Sequence, residues 1–154
     1  MPQAEQRERT AKRIALLHGS VRPLAYAIVG YGHLTGVDIL ITGTLRTFSQ
    51  QNDLYAQGRT AHGRKVTNAE GGQSYHNYGL AFDFVVMDYF GRPLWTETPW
   101  KTIGEFGESI GLAWGGNWTK PDRPHFQLAG VPHHTALLAI APDGYLPADW
   151  RTVP

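Results

Sequence analysis

Residues 58–86 constrain the fold most. An irregular stretch containing Gly58, Gly63, Gly71, Gly72 and Gly79 runs directly into the apolar segment Leu80 to Val86 (LAFDFVV). The first part carries neither a helical nor a strand period, and a long loop without structure of its own is usually functional in a small domain. The second part reads as a strand whose faces separate into Leu80, Phe82, Phe84 and Ala81, Asp83, Val85. Asp83 thus stands among apolar neighbours. A buried carboxylate without a partner is costly, so the fold must bring something to it.

The flanking segments supply helices and further strands. A polar, helix-favouring run covers residues 4–17 and stops at Gly19. Ser20 is placed to cap a second helix, in which Val21, Leu24, Ala25, Ile28 and Val29 form one core-facing stripe. The β-branched run 37–42 (VDILIT) between Gly36 and Gly43 reads as a buried strand, and a helix over 49–57, capped by Ser49, ends at Gly58. Trp100, Ile103, Gly107 and Ile110 mark another helix after Pro99. Trp114 and Trp118 flank a Gly115-Gly116-Asn117 turn, and residues 125–128 (HFQL) after Pro124 form a short strand. Four of the ten prolines fall in 129–154, leaving room for one short helix near 135–140. At 154 residues without an internal repeat, the chain is expected to be a single domain.

Composition narrows the chemistry. Fourteen Lys and Arg against thirteen Asp and Glu give a charge of +1, with no broad basic footprint, so no nucleic-acid partner is expected. No run approaches the ~18 apolar residues of a membrane span, and the Gln-, Glu- and Arg-rich start lacks the apolar core of a secretory signal. Synthesis as a soluble cytoplasmic protein without membrane association is the expectation. The chain has no cysteine, which excludes disulfides, thiolate metal sites and cysteine nucleophiles. Any metal must be held by His, Asp or Glu.

His76, Asp83 and His125 are the candidate ligands. Two imidazoles and a carboxylate suit Zn²⁺, and three protein ligands leave a fourth tetrahedral position open, the pattern of a catalytic site. Asp83 and His125 lie on strands that can neighbour one another, and His76 ends the glycine-rich loop. Asp122 precedes His125 by three residues, so it shares the site only from a turn ahead of that strand; Pro124 provides the break. There it can move a proton between water and a leaving amine, the alternative being an exposed turn aspartate. Arg46 follows strand 37–42, where a guanidinium can polarise a scissile carbonyl or simply face solvent. Ser74 and Tyr75 either bond substrate or satisfy the loop backbone. His133 and His134, adjacent in sequence, would point apart in extended chain, which argues against a chelating pair. The helical zinc signature H-E-x-x-H is absent.

Residues 74–83 (SYHNYGLAFD) resemble the S-x-H-x-x-G-x-A-x-D motif of zinc peptidoglycan peptidases, a family that includes D-Ala-D-Ala carboxypeptidases and L-alanyl-D-glutamate endopeptidases, and residues 122–125 (DRPH) resemble its second motif, D/E-x-x-H. Residues 45–48 (LRTF), Gln51, 54–60 (LYAQGRT), 66–69 (VTNA), 71–73 (GGQ) and 114–118 (WGGNW) look like the endopeptidase branch, phage endolysins included.

The resemblance covers about residues 15–128 and leaves 129–154 as a tail. It implies an α+β zinc peptidase with a small antiparallel sheet, helices packed on one side and a zinc cleft on the other. It makes His76, Asp83 and His125 the zinc ligands, Asp122 the catalytic acid and base, and Arg46 the carbonyl-polarising residue. Trp114 would line the site near the second motif, or be structural. The implied reaction is hydrolysis of the L-Ala–D-Glu amide of a peptidoglycan stem peptide by a monomer. The nearest rival is a D-Ala-D-Ala carboxypeptidase, for which Arg59, Arg64, Lys65 and Arg123 are candidate partners of a terminal carboxylate. A non-catalytic zinc-containing wall-binding module is the other rival, against which the retained Asp122 argues. No separate wall-binding domain is expected, so targeting falls to the catalytic domain. The protein would reach the wall through a holin or at lysis.

Overall fold

A computed structural model describes residues 3–152. Its helices are α1 (Gln3–Ile14), α2 (Arg22–Leu34), α3 (Phe48–Ala56), α4 (Glu97–Ser109) and α5 (His134–Ile140), and its strands β1 (Asp38–Gly43), β2 (Ala81–Met87), β3 (Leu112–Trp114) and β4 (His125–Leu128). The strands form one antiparallel sheet in the order β1-β2-β4-β3. α1 and α2 pack on β1, α4 packs on β3, and α2 meets α4.

The alternation in β2 sets which face is which. Phe82, Phe84 and Val86 are buried beneath the helices, together with Ile28 of α2 and Trp100 and Ile103 of α4. Phe84 stacks on Phe126 of β4 with ring centroids 4.9 Å apart and lies 5.2 Å from Trp100. The opposite residues, Asp83, His125 and Gln127, look out on the other face, towards α3 and the loop that follows it. The α+β arrangement and the antiparallel sheet are those expected, with α1, α2 and α4 on the face away from the candidate metal cleft; α3 departs from the expectation of helices on one side only, because it walls the cleft.

Helix caps and ends depart from expectation more than the layers do. Ser20 does not cap α2: Val21 occupies the N-cap position with helical backbone angles and no side-chain bond. Ser20 instead lies 2.7 Å from His18 Nδ1, while His18 Nε2 meets the Pro147 carbonyl at 3.1 Å. A carbonyl only accepts, so Nε2 carries the hydrogen and the Ser20 hydroxyl donates to Nδ1. α3 is capped by Thr47 and not by Ser49, because only Thr47 has a glutamine three residues on; Gln50 N donates to Thr47 Oγ1 (3.1 Å) and Thr47 N to Gln50 Oε1 (2.9 Å). The first helix ends at Ile14, with residues 15–17 carried on in turns that still bury Leu17. β3 was not expected, since three residues are too few to display a period.

α4 approaches the sheet closely at Gly104, where an added Cβ would run into the indole of Trp114. Gly104→Ala is expected to destabilise the fold by about 1–3 kcal/mol through overpacking, despite alanine's better helix propensity. Urea unfolding should show a lower midpoint with an unchanged slope.

Candidate metal centre and its cleft

The loop before β2 is built by its own side chains. Ser74 opens a 3-10 turn over Tyr75–Tyr78, its hydroxyl accepting from His76 N (3.3 Å). Buried Asn77 accepts from Gly72 N (3.0 Å) and Ser74 N (3.2 Å) and donates to the Arg46 carbonyl (2.9 Å). Arg46 N in turn donates to the His76 carbonyl (3.0 Å). These bonds lock the turn to the chain leaving β1 and hold His76 over the sheet. Asp83 and His125 are directly paired residues of β2 and β4, so their side chains stand side by side on one face.

His76, Asp83 and His125 converge. Asp83 Oδ1 lies 3.4 Å from His76 Nε2 and 3.3 Å from His125 Nδ1. Each imidazole has its other nitrogen engaged: His76 Nδ1 with the Thr44 carbonyl at 2.8 Å, His125 Nε2 with Gln127 Oε1 at 3.0 Å. Both partners accept, so those nitrogens carry the hydrogens and the lone pairs of Nε2 and Nδ1 face Asp83. Burial pushes the Asp83 carboxyl up, but without a metal ion the imidazoles of His125 and His76, once protonated on the nitrogens that face it, donate to it and hold it well below the usual carboxylate range; a bound ion takes the place of those hydrogens. Two bare imidazole nitrogens and an ionised carboxylate are a metal-ligand set. Bonds of about 2.0–2.1 Å to a tetrahedral centre place donors roughly 3.3–3.4 Å apart, the spacing found at Asp83, so the residues fit such an ion.

A cleft of about 450 Å³ opens over this cluster, with Arg46, Asp122 and Trp118 on its walls. Asp122 lies in the turn ahead of β4, where its N–H donates to the Gly115 carbonyl (2.8 Å) and its carbonyl accepts from His125 N (3.1 Å). The break after Asp122 puts it on the cleft that an unbroken strand would have turned it from. Arg46 is half-buried, has no carboxylate partner among the described residues, and donates from Nη1 to Gln51 Oε1 at 2.9 Å.

Comparison with known proteins places this arrangement. A family model described as D-alanyl-D-alanine carboxypeptidase matches residues 67–128. The chain is also 38% identical over 122 residues to the peptidoglycan L-alanyl-D-glutamate endopeptidase CwlK of Bacillus subtilis (strain 168), a match covering 73% of each chain. The chain belongs to this metallopeptidase family. Two solved structures share the fold: the L-Ala D-Glu endopeptidase ChiX of Serratia marcescens (TM-score 0.60, 22% identity, covering 79% of this chain and 86% of that one) and the vancomycin resistance D,D-pentapeptidase VanY in complex with Zn(II) (TM-score 0.56, 14% identity, 88% and 84%).

In this peptidase Trp114 does not line the cleft. It is buried in the core as the last residue of β3, and its indole N–H donates to the Arg123 carbonyl (2.9 Å), bracing the turn that carries Asp122 from beneath. Strand alternation sends it inward beside Leu112. Trp118, beyond the 3-10 turn over Gly115–Asn117, is the tryptophan at the site, its ring centroid 5.1 Å from that of His125. Ser74 and Tyr75 both line the cleft; Ser74 also caps the His76 turn, and Tyr75 donates from its hydroxyl to the Pro132 carbonyl (3.3 Å).

Gln51, one of the residues that carry the family resemblance, takes a part in the site that the sequence does not announce. It is fully buried, accepts from Arg46 and donates to the Ala69 carbonyl (2.8 Å), tying the guanidinium to the outer loop. A glutamine on the inward side of a weakly apolar helix was the available signal. His133 and His134 do not point apart. Their ring centroids are 3.9 Å from each other, because His133 is the N-cap of α5 and the chain turns there.

Proposed function

We propose that this peptidase uses zinc to hydrolyse the L-Ala–D-Glu amide of peptidoglycan stem peptides. The observation that carries the reading is the placement of Asp122 and Arg46 on one cleft with the His76, Asp83 and His125 donors, in a chain closely related to an endopeptidase of that specificity. His76, Asp83 and His125 would hold the zinc ion, which when bound would supply a Lewis acid beside the nucleophilic water. Asp122 takes a proton from the attacking water and delivers one to the amide nitrogen as the C–N bond breaks, giving a free L-Ala carboxylate and a D-Glu amine. Arg46, steadied by Gln51, donates hydrogen bonds to the carbonyl oxygen as negative charge gathers there. Trp118 and Tyr75 form walls against which the peptide is oriented.

Arg59, a candidate anchor for a terminal carboxylate, is committed elsewhere. Its Nη1 donates to the carbonyls of Tyr55 (2.6 Å) and Thr67 (3.1 Å), and the guanidinium lies 3.8 Å over the Tyr55 ring. The same reading includes action as a monomer and delivery by lysis in the manner of phage endolysins. No helix among the described residues is long and apolar enough to cross a membrane.

Digestion of purified sacculi followed by mass spectrometry tests the proposal. New N-terminal D-Glu together with free L-Ala on the glycan side is the expected result. Release of D-Ala alone would transfer the activity to the carboxypeptidase class, and wall binding without cleavage would leave only a binding module.

A further inference from the structure

We propose that a hollow between β1 and α3 is a subsite for the free ammonium group on the residue that follows D-Glu in the stem peptide, and that Asp53 is the side chain recognising it. This inference rests on the endopeptidase reading above. The hollow measures about 360 Å³ and shares Arg46 and Leu54 with the cleft over the metal donors. Its floor is Gly43, which pairs with Asp83 in the sheet; a Cβ built there would stand 3.0 Å from Asp83 Oδ2. The absence of that carbon keeps the hollow open to within one side chain of the reacting centre.

Among the described residues, only two ionisable side chains line it, Arg46 and Asp53. Arg46 is bonded to Gln51, and Gln50 spends its Oε1 on Thr47 N. Asp53, in the middle of α3, is exposed and makes no hydrogen bond or ion pair among the described residues. The other two carboxylates of the cleft already have work: Asp83 faces the imidazoles and Asp122 is poised for proton transfer. Asp53 is thus the uncommitted anion of the groove. Leu45 and Leu54 give the hollow apolar sides that suit a methylene stem.

The charge of Asp53 matches the substrate. Downstream of the scissile amide, the residue that follows D-Glu is a diamino acid with a primary amine. That amine is the cation that the uncommitted carboxylate of Asp53 is placed to meet, while Arg46 stays with the scissile carbonyl. Complementarity of this kind selects partners more than it adds raw affinity.

Two synthetic substrates decide the matter: N-acetylmuramoyl-L-Ala-γ-D-Glu-L-Lys and the same peptide acetylated on the lysine amine. Wild-type protein is expected to show a kcat/KM about three- to fivefold higher for the free amine, the upper end for one solvent-accessible ion pair. In Asp53→Asn the two peptides should fall within about twofold of each other, and Asp53→Lys should favour the acetylated one. Metal content and thermal midpoint, measured alongside, establish that the variants are folded. Equal cutting of both peptides by wild type overturns the inference alone, as does a preference that survives in Asp53→Asn. Wild type that cuts neither peptide overturns the endopeptidase reading and this inference with it.

Discussion

Asp122→Asn is expected to lower kcat on stem peptides by about 10²–10⁴-fold while retaining metal at the wild-type level. The carboxylate is outside the donor cluster, so exchanging it for a carboxamide of the same shape removes proton transfer and little else. The turn that carries it is held by backbone bonds from Asp122 N to the Gly115 carbonyl and from His125 N to the Asp122 carbonyl, which the substitution leaves intact. Product chromatography and metal analysis on the same preparation check both halves of the expectation. An Asp122→Asn protein stripped of metal would make Asp122 a ligand and remove it from the acid–base role.

The second large effect is at His76. His76→Ala should purify with almost no metal, against about one ion per chain for wild type, and with no activity above background, since two of three protein donors do not retain an ion against water. The change also leaves the buried Thr44 carbonyl without its donor, so some loss of stability accompanies it. A titration separates the two effects. Zinc at a hundred times its dissociation constant should stabilise wild type by about 2.7 kcal/mol and raise its thermal midpoint, and the variant should not respond. Full metal content in His76→Ala would overturn the assignment of the donors.

Much of the site was legible because its residues sit where local rules apply. Alternation along 80–86 was enough to set Asp83 apart from Phe82 and Phe84, and Pro124 was enough to turn Asp122 out of the strand. Legibility failed where the answer depends on partners distant in the chain. Which tryptophan of 114–118 reaches the cleft follows from β3 pairing with β4, and no three-residue strand announces itself. The hydrogen bonds that aim the two imidazoles run to Thr44 and Gln127, a backbone carbonyl and an amide that carry no motif. Gln51 belongs to the family resemblance, but its role is not legible for the same reason, since it depends on reaching both Arg46 and Ala69. Caps failed more narrowly: Ser20 and Ser49 have the right chemistry, but at Ser49 a neighbouring residue offered the reciprocal bond and at Ser20 a histidine took the hydroxyl.

The pairing of Asp83 with His125 has a temporal side. His76 and Asp83 are close in the chain and come together as soon as the turn and β2 form. His125 arrives only when β4 docks on β2, closing a loop of about forty residues, and loops of that length make such contacts slow relative to helix formation. A chain that has collapsed but not yet zipped these two strands therefore holds two of the three donors. Competence to capture the ion depends on β4 being docked on β2, and a partly folded copy that lacks this pairing lacks the third donor of a wall-cutting site.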